Sequence, residues 1–263
     1  LFLPAYTATA WYHEQLPDGL QELSLEEVIK KAETFALGEY ADAILQGRNL
    51  DDETRDAIAE RLARLTGVSK DYVLQSNLRL HIFGFTKELL RDERRTVGRF
   101  DSRYKGIDKE ARGEYHDYDP SYSVIQGAYT AAINHYVRTD LKFETDLPYE
   151  VLTGRVHPWD WGNFENRFVN VAEDLREAMT QNPYMNVLIL SGYYDLATPY
   201  FAAEYTFDHM QLAPVLYDHL QFEYYEAGHM MYLHKPSLQK MKNDLDRFYQ
   251  ESLQDAGSPM LRY

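Results

Sequence analysis

Val187-Leu188-Ile189-Leu190-Ser191-Gly192-Tyr193-Tyr194-Asp195-Leu196-Ala197-Thr198-Pro199 opens on a short, continuous apolar run. A run of that length suits a strand buried on both faces, as in a parallel sheet. Residues 222–225, Phe-Glu-Tyr-Tyr, read as a second strand, followed by Glu226-Ala227-Gly228-His229-Met230-Met231. Between the two, Thr198-Pro199 begins a helix that runs to about Met210. Ahead of the first strand, residues 165–180 read as a helix carrying Phe168, Ala172, Leu175 and Met179, ended by Asn182-Pro183. Pro236 begins a last helix with Leu238, Met241, Leu245 and Phe248 in register. Helix, strand, helix, strand, helix is the order of an α/β fold with a parallel pair.

The preceding half reads as helical. Ser24-Leu25-Glu26-Glu27 is a capping box, in which Ser and Glu each satisfy a free N–H of the helix start. Behind it Leu25, Val28, Ile29, Ala32, Phe35 and Ala36 recur at helical spacing. A second helix starts near Asp52, carries Ile58, Leu62 and Leu65, and stops at Gly67. Ser69 caps a third, with Val73, Asn77 and Leu78 following, and residues 85–95 suggest a fourth. Residues 91–119 are rich in charge and poor in aliphatics, which reads as a long, solvated loop. Asp119-Pro120-Ser121 opens the clearest helix. Its stripe of Val124, Ile125, Ala128, Tyr129, Ala132, Ile133, Tyr136 and Val137 is expected in a core or an interface.

Composition narrows the function classes. The 263 residues carry 27 Lys and Arg against 42 Asp and Glu, a net charge of −15. Such a surface repels phosphate backbones and anionic lipid, so nucleic acid and membrane are not expected partners. No run reaches the length of a bilayer span. With no Cys there is no disulfide framework, no thiolate metal site and no Cys nucleophile. The phosphate-loop, dinucleotide, HExxH and EF-hand patterns are absent. His229 and His234 have no evident third ligand, so no metal is expected.

What the two strands lead into is chemical. In open parallel sheets, functional loops lie beyond the carboxyl ends of the strands. Asp195 follows the first strand and His229 the second, 34 residues on, so the two can meet side by side. In a hydrolase triad the Asp accepts the Nδ1–H of the His, and the His takes the proton of a nucleophilic Ser. Two plainer readings stand beside this one. Asp195 could serve the N-terminus of the helix that follows it, and His229 could be an ordinary loop histidine.

The words around these residues point further. SGYYDLATPY followed by EAGHMMYLHKP resembles the serine carboxypeptidase family, peptidase family S10, within the α/β-hydrolase superfamily. Gly192, Asp195 and Pro199 match the family's acid motif. Gly228, His229, Met230 and Pro236 match its histidine motif, and the opening LFLPAYTATAWYH resembles the bacterial branch. The resemblance implies that Asp195 is the triad acid and His229 the base, and that Met230 faces the departing C-terminal residue of a peptide substrate. It implies that residues 1–162 form a large helical cap and residues 163–263 the C-terminal part of the α/β-hydrolase core. Trp159-Asp160-Trp161, where cap would return to core, either lines the cleft or packs two indoles. An exported protein, periplasmic or secreted, is also implied, as is a hydrolysis that needs no organic cofactor.

One feature departs from the family. The superfamily places the Ser of a GxSxG-type elbow ahead of Asp and His. Here the nearest approach is Gly67-Val68-Ser69-Lys70-Asp71, where Ser69 reads as a helix cap. The nucleophile is therefore expected upstream of Leu1, in an N-terminal chain or segment of the same precursor. On that expectation, residues 1–263 alone make neither a whole core nor an active enzyme, since a two-stranded sheet is marginal in water. The resemblance leaves two alternatives open: an acyltransferase or esterase of the same fold, and a non-catalytic binding module that kept the scaffold.

Overall fold

The computed structural model describes residues 1–255. It is a mixed α/β structure, mostly helical, with two small sheets among the described residues. Helix α1 (Leu3–Tyr12) is its hub. Leu3 through Ala10 are all buried, as befits a helix with no charged face. Its alanines let neighbours approach closely, while Thr7 and Thr9 return their hydroxyls to the carbonyls of Leu3 and Ala5. Helix α2 (Leu25–Leu37) begins at the expected capping box and buries the six expected apolar residues. Helix α3 (Glu39–Gln46) packs against α2 and α4, and α4 (Asp52–Thr66) packs against α1. Asp51 caps α4, and Gly67 ends it at φ 71°, a left-handed turn that glycine adopts without a Cβ clash. Ser69 caps α5 (Lys70–Gln75) by accepting from the Tyr72 N–H. The positive φ of Asn77 and Leu78 then breaks the expected continuation.

The fourth helix is displaced from its expected span. Helix α6 covers Ile82–Glu88, and Arg94 at φ 56° closes the short turn that follows. The reading of residues 91–119 as a solvated loop is corrected as well. Strands β1 (Thr96–Val97) and β2 (Lys105–Gly106) pair as an antiparallel hairpin. Thr96, Val97, Asp101, Ser102 and Asp108 within this segment are buried. Lys87 on α6 forms a buried ion pair with Asp108 and donates to the carbonyl of Glu110. Val97 apart, this segment buries backbone and paired charge more than aliphatic surface, so hydropathy does not reveal it.

Helix α7 (Pro120–Thr139) is capped by Asp119, whose carboxylate accepts from the N–H groups of Ser121 and Tyr122. Its apolar stripe is not core among the described residues, for Val124 is 55% and Tyr136 50% exposed. Trp159 and Trp161 are exposed too, at 58% and 56%. Helix α8 (Ala172–Gln181) begins seven residues later than expected, leaving Phe168 exposed.

Strands β3 (Val187–Gly192) and β4 (Leu220–Tyr225) pair in parallel, Val187 opposite Leu220 and Gly192 opposite Tyr225. Residues 187–190 are half-buried, where burial on both faces was expected. Helix α9 (Tyr200–Asp208) connects the strands; it starts after Pro199 because Thr198 is held in the preceding turn. Helix α10 (Lys235–Asp255) follows β4. One apolar core runs from α1, α2 and α4 to Tyr194, Leu196, Tyr200 and Phe201. It ties the helical half directly to the turn after β3.

Candidate active site

The two strand ends are drawn together by glycine. A Cβ on Gly192 would strike the carbonyl oxygens of Ala227 and Gly228, backbone atoms with no room to yield. The ladder continues past the strands, with Tyr193 N–H donating to Tyr225 and Tyr194 N–H to Ala227. This close approach sets the turn bearing Asp195 against the loop bearing His229.

Asp195 is buried, with 6% of its side chain exposed, and His229 is 40% exposed. Nδ1 of His229 lies 2.8 Å from Oδ2 of Asp195. Thr198 Oγ donates to the same oxygen at 2.7 Å and stands 3.1 Å from the imidazole nitrogen. Oδ1 accepts the N–H groups of Ala197 at 2.7 Å and Thr198 at 2.9 Å. A carboxylate offers about four acceptor sites, and here four donors use them. Asp195 thus both braces the turn that leads into α9 and holds the imidazole. An acceptor at Nδ1 selects the Nδ1–H tautomer, which leaves the lone pair on Nε2.

The hydrogen bond from Asp195 raises the pKa of His229 above the ordinary histidine value. Partial burial opposes the rise, the charge of Asp195 adds to it, and the Arg99 guanidinium counts against it. The geometry suits a base that is oriented and charge-stabilised through one nitrogen while the other exchanges a proton.

Five residues that sequence reasoning passed over complete the surroundings. Residues 99–103, just past β1, lie across both loops. Arg99 O accepts Leu196 N–H, and Ser102 N–H donates to Tyr194 O, so Asp195 is bracketed on either side. Phe100 O accepts His229 N–H at 2.6 Å, and its ring lies 5.5 Å from the imidazole. Asp101 accepts the N–H of Gly228, and Arg103 donates to Glu226 O. The available sign was Gly98 and Gly106 flanking an Asp-x-Arg, overshadowed by the charge of its neighbours.

Met230 follows His229 and is half-buried, at the entry to the turn over residues 231–233. Ser69 is far from a nucleophile's role, its hydroxyl being used in capping α5. Among the described residues no Ser or Thr hydroxyl is hydrogen-bonded to Nε2 of His229. Nor does any group of three or more His, Asp or Glu there suit a metal ion. No helix among them is long and apolar enough to cross a membrane. Comparison of the chain with family models, with curated proteins and with solved structures returns no match.

Proposed function

We propose that this chain is the C-terminal portion of a serine carboxypeptidase-like hydrolase of the α/β-hydrolase fold, with residues 1–162 as its helical cap. The observation that carries this reading is the Asp195–His229 hydrogen bond of 2.8 Å, made just beyond the carboxyl ends of two parallel strands. In the proposed reaction a serine from an N-terminal segment or chain of the same precursor attacks the last peptide carbonyl. His229 Nε2 takes the serine proton and passes it to the departing amino acid, breaking the C–N bond and leaving an acyl-enzyme. Water then enters, His229 takes its proton, and the ester is cleaved to release the shortened peptide and the serine. Asp195 holds the imidazolium in both halves. Met230, next to His229, is the side chain proposed to face the departing residue.

The test uses the protein as its source produces it, with any precursor segment present. It should release C-terminal residues from peptides and react with a fluorophosphonate on a serine. His229→Ala should lower turnover by about 10⁶-fold and Asp195→Asn by less, because the imidazole keeps part of its function without its orienter. Near-normal hydrolysis by the His229 variant would remove the residue from the mechanism. Absence of both hydrolysis and fluorophosphonate labelling would refute the reading.

A further inference from the structure

The segment across the two loops has no part in the proposed chemistry, yet its contacts are concentrated on the residues around His229. Asp101 and Arg103 form a two-pronged ion pair, Nε to Oδ1 at 3.0 Å and Nη2 to Oδ2 at 2.7 Å. Their side chains are only 13% and 15% exposed. Each partner reaches onward to the same loop. Asp101 Oδ2 accepts the Gly228 N–H at 3.2 Å, and Arg103 Nη1 donates to Glu226 O at 2.7 Å. The arginine also lies over the Tyr194 ring, 5.5 Å from its centroid. The approach is too tight for any residue but glycine at 228, where a Cβ would meet Asp101 and the Phe100 carbonyl.

The segment is itself anchored in the helical half. Ser102 Oγ pairs with Thr9 Oγ at 2.6 Å, and His13 Nε2 donates to Ser102 O at 2.7 Å. Gly98 N–H donates to Tyr104 O, and Ser121 at the start of α7 accepts the Phe100 N–H. The loop bearing His229 is therefore held from the helical half as well as by its own strand. A loop held only by β4 would be free to pivot about Tyr225, and the imidazole would swing with it.

We infer that Asp101 and Arg103 are positioning residues: together they fix the Glu226–Gly228 backbone so that the His229 imidazole meets Asp195. The inference rests on the proposed Asp195–His229 pair. Neither residue touches the reacting atoms in this reading. Arg103 is matched to the task by its planar fork, which grips a carboxylate with two N–H groups and keeps a third for a carbonyl. A lysine ammonium in its place carries its three donors on one nitrogen and lacks the fork that spans both carboxylate oxygens and the Glu226 carbonyl.

The test compares Arg103→Ala, Arg103→Lys and Asp101→Asn with the unaltered protein, again as its source produces it. Folding is followed by circular dichroism and thermal melting. The His229 tautomer and pKa are read by ¹⁵N NMR of the imidazole, and kcat and KM are measured with a peptide. Expected for Arg103→Ala is a retained fold, a mixed tautomer, and a His229 pKa moved back toward the ordinary value. Turnover should fall about a hundredfold at nearly constant KM, the scale associated with a displacement of about 1 Å. Arg103→Lys should recover part of both effects, and Asp101→Asn should resemble Arg103→Ala. A folded Arg103→Ala protein with unchanged tautomer, pKa and kcat would overturn the inference. Loss of fold in all three variants would also overturn it, by making the pair a stability element. If the imidazole responds as expected but no variant or parent hydrolyses peptides, the positioning stands and the hydrolase reading fails.

Discussion

Gly98 lies at the root of the segment that spans both loops, and replacing it by alanine probes the segment without altering any polar group. The backbone there is not in the left-handed region, so the substitution is a matter of space alone. A Cβ at 98 would stand 2.6 Å from the carbonyl oxygen of Asp101 and 2.7 Å from both Cβ and Oγ of Ser121. Ordinary contact begins near 3.4 Å. The segment and the start of α7 must therefore separate by about 0.7 Å, and overpacking of this kind costs about 1–3 kcal/mol. If the segment yields, the bond from Gly228 N–H to Asp101 stretches from 3.2 Å past the range in which an N–H···O bond holds. Two readouts should move together in Gly98→Ala. The urea midpoint should fall by the equivalent of about 1–3 kcal/mol, and the His229 pKa should drop toward the ordinary histidine value. An unchanged midpoint would refute the claim that the methyl has no room, and a lowered midpoint with an unchanged His229 titration would refute the claim that 99–103 is rigidly coupled to the His229 loop.

Asp195→Asn should make stability respond to pH in a definite direction. His229 has a raised pKa in the folded chain, so its contribution is fully present below its unfolded value of about 6.5 and fades as pH rises through the folded pKa. Urea midpoints of parent and variant should therefore differ more at pH 5.5 than at pH 9, and a gap that widens with pH would contradict the assignment. Lys87→Met leaves Asp108 buried without its cation, since the two side chains are 3% and 4% exposed. Breaking such a pair should cost about 3–5 kcal/mol in urea unfolding. A loss below about 1 kcal/mol, the level of a surface pair, would show that Asp108 finds solvent when the lysine is gone.

The helices around α1 were legible because their stabilising surface is apolar and periodic. In α2 the capping box at Ser24 and the buried positions Leu25, Val28, Ile29, Ala32, Phe35 and Ala36 are direct readings of local rules. The parallel pairing of β3 with β4 and the hydrogen bond between Asp195 and His229 also follow from runs and turns visible in the chain. The 91–119 segment was not legible, because what it buries is polar. Asp101 with Arg103, and Lys87 with Asp108, are partners joined across turns or between distant elements. A charge run looks alike whether its carboxylates face water or guanidinium groups. Only the fold tells the two apart.

The stripe of α7 shows the converse limit. Periodicity reports that one face of a helix is apolar; it does not say what lies against that face. In α2 the face meets α1, whereas Val124 and Tyr136 on α7 stay exposed among the described residues. The glycines are a more discriminating sign. Gly192 and Gly228 occupy a strand end and a loop where a side chain would collide with facing backbone, so each records a close approach and nothing else. Gly192 marks where the Asp195 turn meets the His229 loop, and Gly228 marks where that loop meets residues 100–101. Read as contacts instead of motif letters, the two glycines point to both sides of His229, and the second of them to the segment that hydropathy misreads.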